Sequence, residues 1–279
     1  SNIPISCPSD RMDSKNKASA NHTSTRFPFC LLLLVFTICN ASTELRVKKV
    51  GVVIAPGFEL LDALGPYETL KEVQNQYYSN IDITERTWGT PTGTKCTDEH
   101  GDLLITVELV GHTDASVKSS SGVAMAPEFD LSLDPDGTQF DLLVVGAGVE
   151  TREVTDYVKR HHESGGSLLT VCTGASIPAD LGLLDGHEAT TNSLYLTEFR
   201  TRFPSVTWVD LADDTQRRFV RSTPSLTTTA GITAGIDGTL GLVAEWCGWD
   251  VAEATRMCLE WPLQLEESIF VHGEDTSIV

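Results

Sequence analysis

A cysteine stands where an apolar run gives way to small residues. In Ser167-Leu168-Leu169-Thr170-Val171-Cys172-Thr173-Gly174-Ala175, the residues before Cys172 suit a buried strand and those after it demand an immediate turn into a helix. An elbow of this kind puts the side chain at its apex and the following backbone N–H groups beneath it. Those donors and the positive end of the helix favour a thiolate, the form of cysteine that attacks electrophiles. The same donors can stabilise negative charge on a bound intermediate. Cys96, Cys247 and Cys258 lack such a setting and are expected to be small packing residues. No cysteine belongs to a C-x-x-C pair, which argues against a zinc site or a disulfide framework. A single bridge is compatible with export, but spacing does not name its partners.

A nucleophilic thiol needs a proton donor or acceptor beside it, and two carboxylates are available. Glu59 and Asp62 both lie in Pro56-Gly57-Phe58-Glu59-Leu60-Leu61-Asp62-Ala63-Leu64-Gly65-Pro66. An acid at the start of a helix commonly serves as a cap, so the residues leave the choice between the two open. A third feature is Gly146-Ala147-Gly148, whose glycines let backbone N–H groups approach a ligand closely.

These three features share a place only if the elements position them so. Short apolar runs alternate with amphipathic stretches from Arg46 onward, the pattern of an α/β fold. Strands are expected at 47–55, 103–111, 140–146 and 167–171, with further short ones at 188–191, 219–222 and 226–231. Helices are expected at 66–76 with Pro66 in the first turn, at 151–166 with Thr151 as N-cap, at 174–184, 194–203, 235–247 and 251–260. The section 79–101 is polar and irregular and could line a pocket or cover an edge. The run at 167–171 is apolar enough to suit a central strand of a parallel sheet, buried on both faces. Ligands of open parallel sheets bind beyond the carboxyl ends of the strands. Strand ends at Ala55, Val145 and Val171 would therefore bring a carboxylate, the glycine backbone and the thiol to one edge.

Composition narrows the function classes. The chain has 279 residues, is 41% hydrophobic and carries a net charge of −19. The acidic residues are scattered, and no Lys/Arg cluster tracks a phosphate backbone, so nucleic acid is not an expected partner. Residues 1–41 differ from the rest: Lys15, Lys17 and Arg26 precede the apolar run Phe27–Cys39, which is followed by the small-x-small stretch Cys39-Asn40-Ala41. This is the build of a secretory signal, and the run is too short for a stable membrane span. Its removal leaves 16 basic against 37 acidic residues, a net charge of −21. Residues 42–279 then form a single domain, and the protein is expected in the secretory pathway or outside the cell, or in the cytoplasm if the signal is not used. The histidines (among them His100, His112, His161, His162 and His187) show no metal-ligand spacing, and no metal or organic cofactor is expected. The run Ala230–Gly238 lacks the Lys-Ser/Thr ending of a phosphate loop and is read as tight helix packing near the site.

Four ordered blocks, "GFELLDALGPYETL", "FDLLVVGAG", "TVCTGASIPADLGLLDGHEATTN" and "TTTAGITAGIDGTLGLVAE", together resemble the ThiJ/PfpI superfamily of the class I glutamine-amidotransferase-like fold, and within it the isonitrile hydratase-like branch. The resemblance spans roughly residues 47 to 262. It implies a flavodoxin-like three-layer sandwich with a mostly parallel sheet, a homodimer, the reactive cysteine at Cys172 and the partner acid at Asp62. It further implies oxyanion donors among the backbone N–H groups near Gly146 and Thr173, with Glu59 left as a cap or surface residue. Thr173 stands where protease-like members have histidine, so a Cys-His peptidase is not expected. Asn192 stands where many relatives have histidine, which weakens any mechanism that needs a histidine base.

The resemblance thus implies hydration of an isonitrile or a similar small electrophile to an N-substituted formamide. Cys172 would attack the terminal carbon, Asp62 would deliver a proton to it, and water would resolve the thioimidate. A glyoxalase-like hydration of 2-oxoaldehydes uses the same site on another substrate. A third reading is non-enzymatic, with Cys172 as a redox sensor or gate of a ligand pocket. Related transcription regulators pair this domain with a helix-turn-helix region, and with only a short stretch after Trp261 a DNA-binding regulator is not expected.

Overall fold

The computed structural model describes residues 48–83, 87–88, 95–98, 100–211 and 218–262. The expected N-terminal extension, 1–41, lies outside the described residues.

Seven strands form the main sheet: β1 (Lys48–Val53), β2 (Ile105–Gly111), β3 (Phe129–Asp130), β4 (Leu142–Val145), β5 (Ser167–Val171), β6 (Phe219–Thr223) and β7 (Leu226–Thr229). They lie in the order β6-β7-β5-β4-β1-β2-β3. All neighbours are parallel except the edge pair β6 and β7, an antiparallel hairpin. The long apolar runs take the middle of the sheet: the last four residues of β1 and all of β4 are buried, as are Leu168 to Val171 of β5. A strand covered on both faces needs a near-continuous apolar run, and these stretches supply it with Thr170 as the polar exception.

The helices are α1 (Leu60–Gln74), α2 (Arg152–Glu163), α3 (Ser176–Asp180), α4 (Leu196–Arg202), α5 (Ala234–Cys247) and α6 (Trp249–Cys258). Helices α1, α5 and α6 pack on one another, while α2 packs against α3 and β5. The result is the flavodoxin-like three-layer arrangement expected from the alternation of elements. Thr151 caps α2 as expected, its hydroxyl accepting from the Val154 N–H at 3.3 Å. The glycine-rich start of α5 serves close packing: a Cβ at Gly235 would lie 2.9 Å from a Val171 methyl, and one at Gly238 2.5 Å from that of Thr229. Helix α5 thus sits directly on the strands that carry the elbow.

Four expectations are corrected. Helix α1 begins at Leu60, six residues before Pro66, so Asp62 occupies a helical first turn instead of a loop. Pro66 thus lies inside α1, where it gives the Asp62 carbonyl no helical N–H; the carbonyl of Gly65, directly before it, accepts from the Thr69 hydroxyl. The helix expected over 174–184 is shorter, a 3-10 turn at Cys172–Ala175 followed by the five residues of α3. Gly182, with φ +73° directly after the C-cap Leu181, ends it. The strand expected at 188–191 is only Glu188–Ala189, paired outside the main sheet with Thr207–Trp208.

The fourth correction concerns the cysteines. Cys96 and Cys247 are not separate packing thiols but a disulfide, with their Cα atoms 4.9 Å apart. The bridge ties the described part of the section 79–101 to the end of α5. Two short pieces of that section, Ile81–Asp82 and Thr87–Trp88, form an antiparallel pair. Among the described residues, no helix is long and apolar enough to cross a membrane.

Candidate active site

β5 delivers Cys172 to the carboxyl edge of the sheet, and the chain turns there at once. Cys172 has φ +57°, a left-handed conformation rare for a residue with a side chain and costing about 1–3 kcal/mol. Its surroundings fix that conformation. The Cys172 N–H donates to the Ala230 carbonyl at 3.1 Å, and its own carbonyl accepts from the Thr191 hydroxyl at 2.8 Å. Gly174 lets the turn close: a Cβ there would sit 2.2 Å from the Val145 carbonyl oxygen.

Cys172 is 5% exposed and its thiol has three donors. The amide of Asn192 donates to Sγ at 3.4 Å, and the backbone N–H groups of Thr173 and Ile232 face the sulfur. These donors pull the thiol pKa down, but burial and the nearby charge of Asp62 outweigh them, and the thiol is raised above its ordinary value. The expected stabilisation of a resting thiolate is therefore not realised. The five residues of α3 give only a short dipole, whereas the site is almost fully desolvated.

Asp62 comes from the first turn of α1 and is fully buried. Its Oδ2 accepts from the Ala147 N–H at 2.9 Å, while Oδ1 has no hydrogen-bond partner. Burial first, then the charges of Glu59 and Glu150, push its pKa up to about 7 against the pull of the Ala147 N–H. The site thus holds a carboxyl that is half protonated near neutral pH, beside a thiol. An acid in that state can give or take a proton at little cost. Two adjacent anions would repel, so charge on either group disfavours charge on the other.

The strand-edge reading brings Cys172, Asp62 and Thr173 together. Gly146 contributes space: a Cβ there would lie 2.6 Å from that of Asp62, so glycine is needed for the acid to fit. The neighbouring Ala147 N–H is taken by Asp62. Glu59 stands at the N-cap of α1 without capping it, and its carboxylate accepts from the Ser120 hydroxyl at 2.8 Å. Ile232 was missed as a donor. Its only signal was its place inside the glycine run, read as packing alone. Asn192 was noted as a departure from relatives, and its contact with the sulfur was not foreseen.

Next to the elbow opens a cleft of about 310 Å³ whose wall includes Glu150, Thr173, Ser176, Tyr195, Phe199 and Arg202. Thr173 of its wall directly follows Cys172 in the chain and the charge of Glu150 raises the Asp62 pKa, while neither Cys172 nor Asp62 itself lines the cleft. No cluster of His, Cys, Asp and Glu among the described residues could hold a metal ion. His161 is a structural residue, with its ring nitrogens against the carbonyls of Gly137 and Ser167 at 3.2 and 2.9 Å.

The family model described as DJ-1/PfpI matches residues 48–245. A curated isonitrile hydratase from Pseudomonas putida is 27% identical over 219 residues, covering 76% of this chain and 78% of its own. Among solved structures, Drosophila melanogaster DJ-1beta superposes with a TM-score of 0.56 at 18% identity, over 77% of this chain and 98% of that one. A ThiJ/PfpI family protein from Pseudomonas syringae gives a TM-score of 0.56 at 19% identity, over 77% and 76% of the two chains. At such identities these two structures speak for the fold.

Proposed function

The chain belongs to the DJ-1/PfpI family, and from that premise we propose that it is a cysteine-dependent hydratase that converts an isonitrile or a similar small electrophile to an N-substituted formamide. The observation that carries this reading is the pairing of Cys172 with an acid, Asp62, that keeps its proton up to about pH 7. The similarity to an isonitrile hydratase supports the substrate class.

In the proposed reaction, Asp62 gives its proton to the terminal carbon of R–N≡C, and that carbon forms a bond to Sγ as the thiol proton passes to the Asp62 carboxylate. The product of this step is the thioimidate R–N=CH–S–Cys172, with Asp62 protonated again. Water adds across the C=N bond, its oxygen to carbon and one hydrogen to nitrogen. The C–S bond then breaks as C=O forms, and the remaining hydrogen of water returns to the sulfur. The sum is R–NC plus H₂O giving R–NH–CHO, with both groups restored. The N–H groups of Thr173 and Ile232 and the amide of Asn192 stabilise the developing thiolate. No metal or organic cofactor takes part in this scheme.

The raised thiol pKa counts against the redox-sensor reading, since peroxide attacks the thiolate. The reading includes a homodimer, and export if residues 1–41 act as a signal. The Cys96–Cys247 disulfide supports an oxidising compartment. The deciding experiment runs the purified protein against an isonitrile and a 2-oxoaldehyde side by side, with Cys172→Ala as control. Formamide formation that disappears in Cys172→Ala is expected. Turnover of the 2-oxoaldehyde alone, or full turnover by Cys172→Ala, overturns the proposal.

A further inference from the structure

The turn Ala230–Thr233, between β7 and α5, reaches the cysteine by three routes. Ala230 accepts from the Cys172 N–H, Ile232 aims its N–H at Sγ, and Gly231 packs against the Asn192 amide that donates to Sγ. A Cβ at Gly231 would lie 2.9 Å from that amide nitrogen. The turn is also strained, because Ile232 has φ +31°, an unfavourable value for a β-branched residue. Such a conformation persists only where its surroundings over-determine it.

One arginine provides that constraint. The Arg218 carbonyl accepts from the Ala230 N–H at 2.9 Å, which fixes the start of the turn. Its Nη1 donates to the Thr233 hydroxyl at 2.8 Å, which fixes the end. Its Nη2 forms an ion pair with Asp237, a fully buried carboxylate of the first turn of α5. Asp237 in turn accepts from the Trp261 indole N–H at 2.6 Å, and the guanidinium lies 5.6 Å from the centre of the Trp261 ring. A planar guanidinium presents its N–H groups to both partners in a fixed fork, which the single nitrogen of an ammonium does not reproduce. The Thr233 hydroxyl does not cap α5, so its bond to Arg218 is not a requirement of the helix.

We propose that Arg218 is a positioning residue for Cys172: clamped by Asp237 and Trp261, it holds the turn Ala230–Thr233 so that the Ile232 N–H is aimed at the sulfur. Asp62 is the charged group that faces the thiol, and Glu59 and Glu150 act on Asp62. Arg218 works through the backbone of the turn. The inference rests on the reading above only in taking Cys172 as the reactive thiol, and it holds for any electrophile.

The test is the rate of alkylation of Cys172 by iodoacetamide between pH 6 and pH 9.5 in the full chain, located by peptide mass mapping. Arg218→Lys keeps a cation for Asp237 but loses the fork, and Thr233→Val removes only the hydroxyl. Each should slow alkylation at pH 7.5 by roughly three- to tenfold, the worth of an ordinary net hydrogen bond and so part of what a fully aimed donor gives a thiolate, and move the profile to higher pH. The double variant should be no slower than the slower single one, because both cut the same link. Unfolding midpoints are measured alongside, so that a shifted profile at an unchanged midpoint separates aiming of the donor from general loosening. Profiles of both single variants that superimpose on the parent overturn the proposal. So does a shift in Arg218→Lys alone, or losses that multiply in the double variant. Alkylation requires no turnover, so an inactive result in the hydratase assay leaves this test intact.

Discussion

Replacing Asp62 with asparagine should change how stability depends on pH, and the size of the change follows from the burial of the carboxyl. The group has a pKa of 3.8 when solvated and about 7 in the fold. Its folded pKa is raised, so its contribution is fully present below pH 3.8 and is lost as pH rises through about 7. Each pH unit in that interval costs about 1.4 kcal/mol, which caps the loss at about 4 kcal/mol. About 1.6 kcal/mol of it falls below pH 5, leaving about 2.5 kcal/mol between pH 5 and pH 8. Because Asp62 is fully buried, this figure needs no discount for solvent screening. The amide of the Asp62→Asn variant has no proton to lose, so the stability difference between variant and parent should move in the variant's favour by about 2.5 kcal/mol over that range. Any constant offset from the amide group, which must share the pocket of the unpartnered Oδ1, cancels in the comparison. The assay is urea unfolding of both proteins at pH 5 and pH 8, in a Cys172→Ala background so that thiol titration does not enter. Burial is the largest cause of the shift and survives that background. Equal pH dependence in the two proteins would refute the assignment of Asp62 as a buried, neutral acid.

The hydratase rate should carry the same signature. With Asp62 required in its protonated form, kcat/KM should fall about tenfold per pH unit above about pH 7, and a rate that instead climbs from pH 7 to pH 9 would show that thiolate formation governs the reaction. The disulfide closes a loop with a sequence separation of 151 residues, for which chain entropy sets a contribution of up to about 5 kcal/mol. Reduction should therefore lower the unfolding free energy by about 2–5 kcal/mol in urea melts, Cys96→Ser/Cys247→Ser should no longer respond to reductant, and an unchanged parent midpoint on reduction would count against the bridge.

Features carried by contiguous residues were legible before the fold was known. The strands at 48–53 and 167–171 announce themselves by short, mainly apolar stretches (Val50–Val53 and Leu168–Val171), and the elbow by small residues directly after Cys172. Asp62 was separable from Glu59 only through the family resemblance, since both lie within one turn of the start of α1. What decides between them is depth: Asp62 is fully buried, while Glu59 reaches Ser120 at the surface. The Ile232 donor depends on β7 lying beside β5, a pairing between residues some sixty positions apart that no local pattern encodes. The same holds for the Cys96–Cys247 bridge. Pro66 misled because proline marks a first turn more often than a helix interior.

The electrostatics of the site decide between its chemistries more sharply than the identity of the nucleophile does. A peroxide sensor needs a thiolate at rest, which calls for donors and positive charge around a partly solvated sulfur. Here the donors are present, but Cys172 is 5% exposed and burial, joined by the charge of Asp62 whenever that group ionises, raises its pKa, so at rest the proton stays on sulfur. Such a thiol is slow toward oxidants and becomes nucleophilic only when its proton has somewhere to go. In the proposed reaction, protonation of a substrate carbon by Asp62 would create that acceptor at the moment the carbon becomes electrophilic, because the carboxylate left behind is the group that would take the proton from sulfur. The same repulsion that raises the thiol pKa while Asp62 is charged then vanishes once the proton has passed. A buried cysteine and a carboxyl near pH 7 therefore form one proton-exchanging unit, matched to addition across an unsaturated carbon and poorly matched to sensing oxidants.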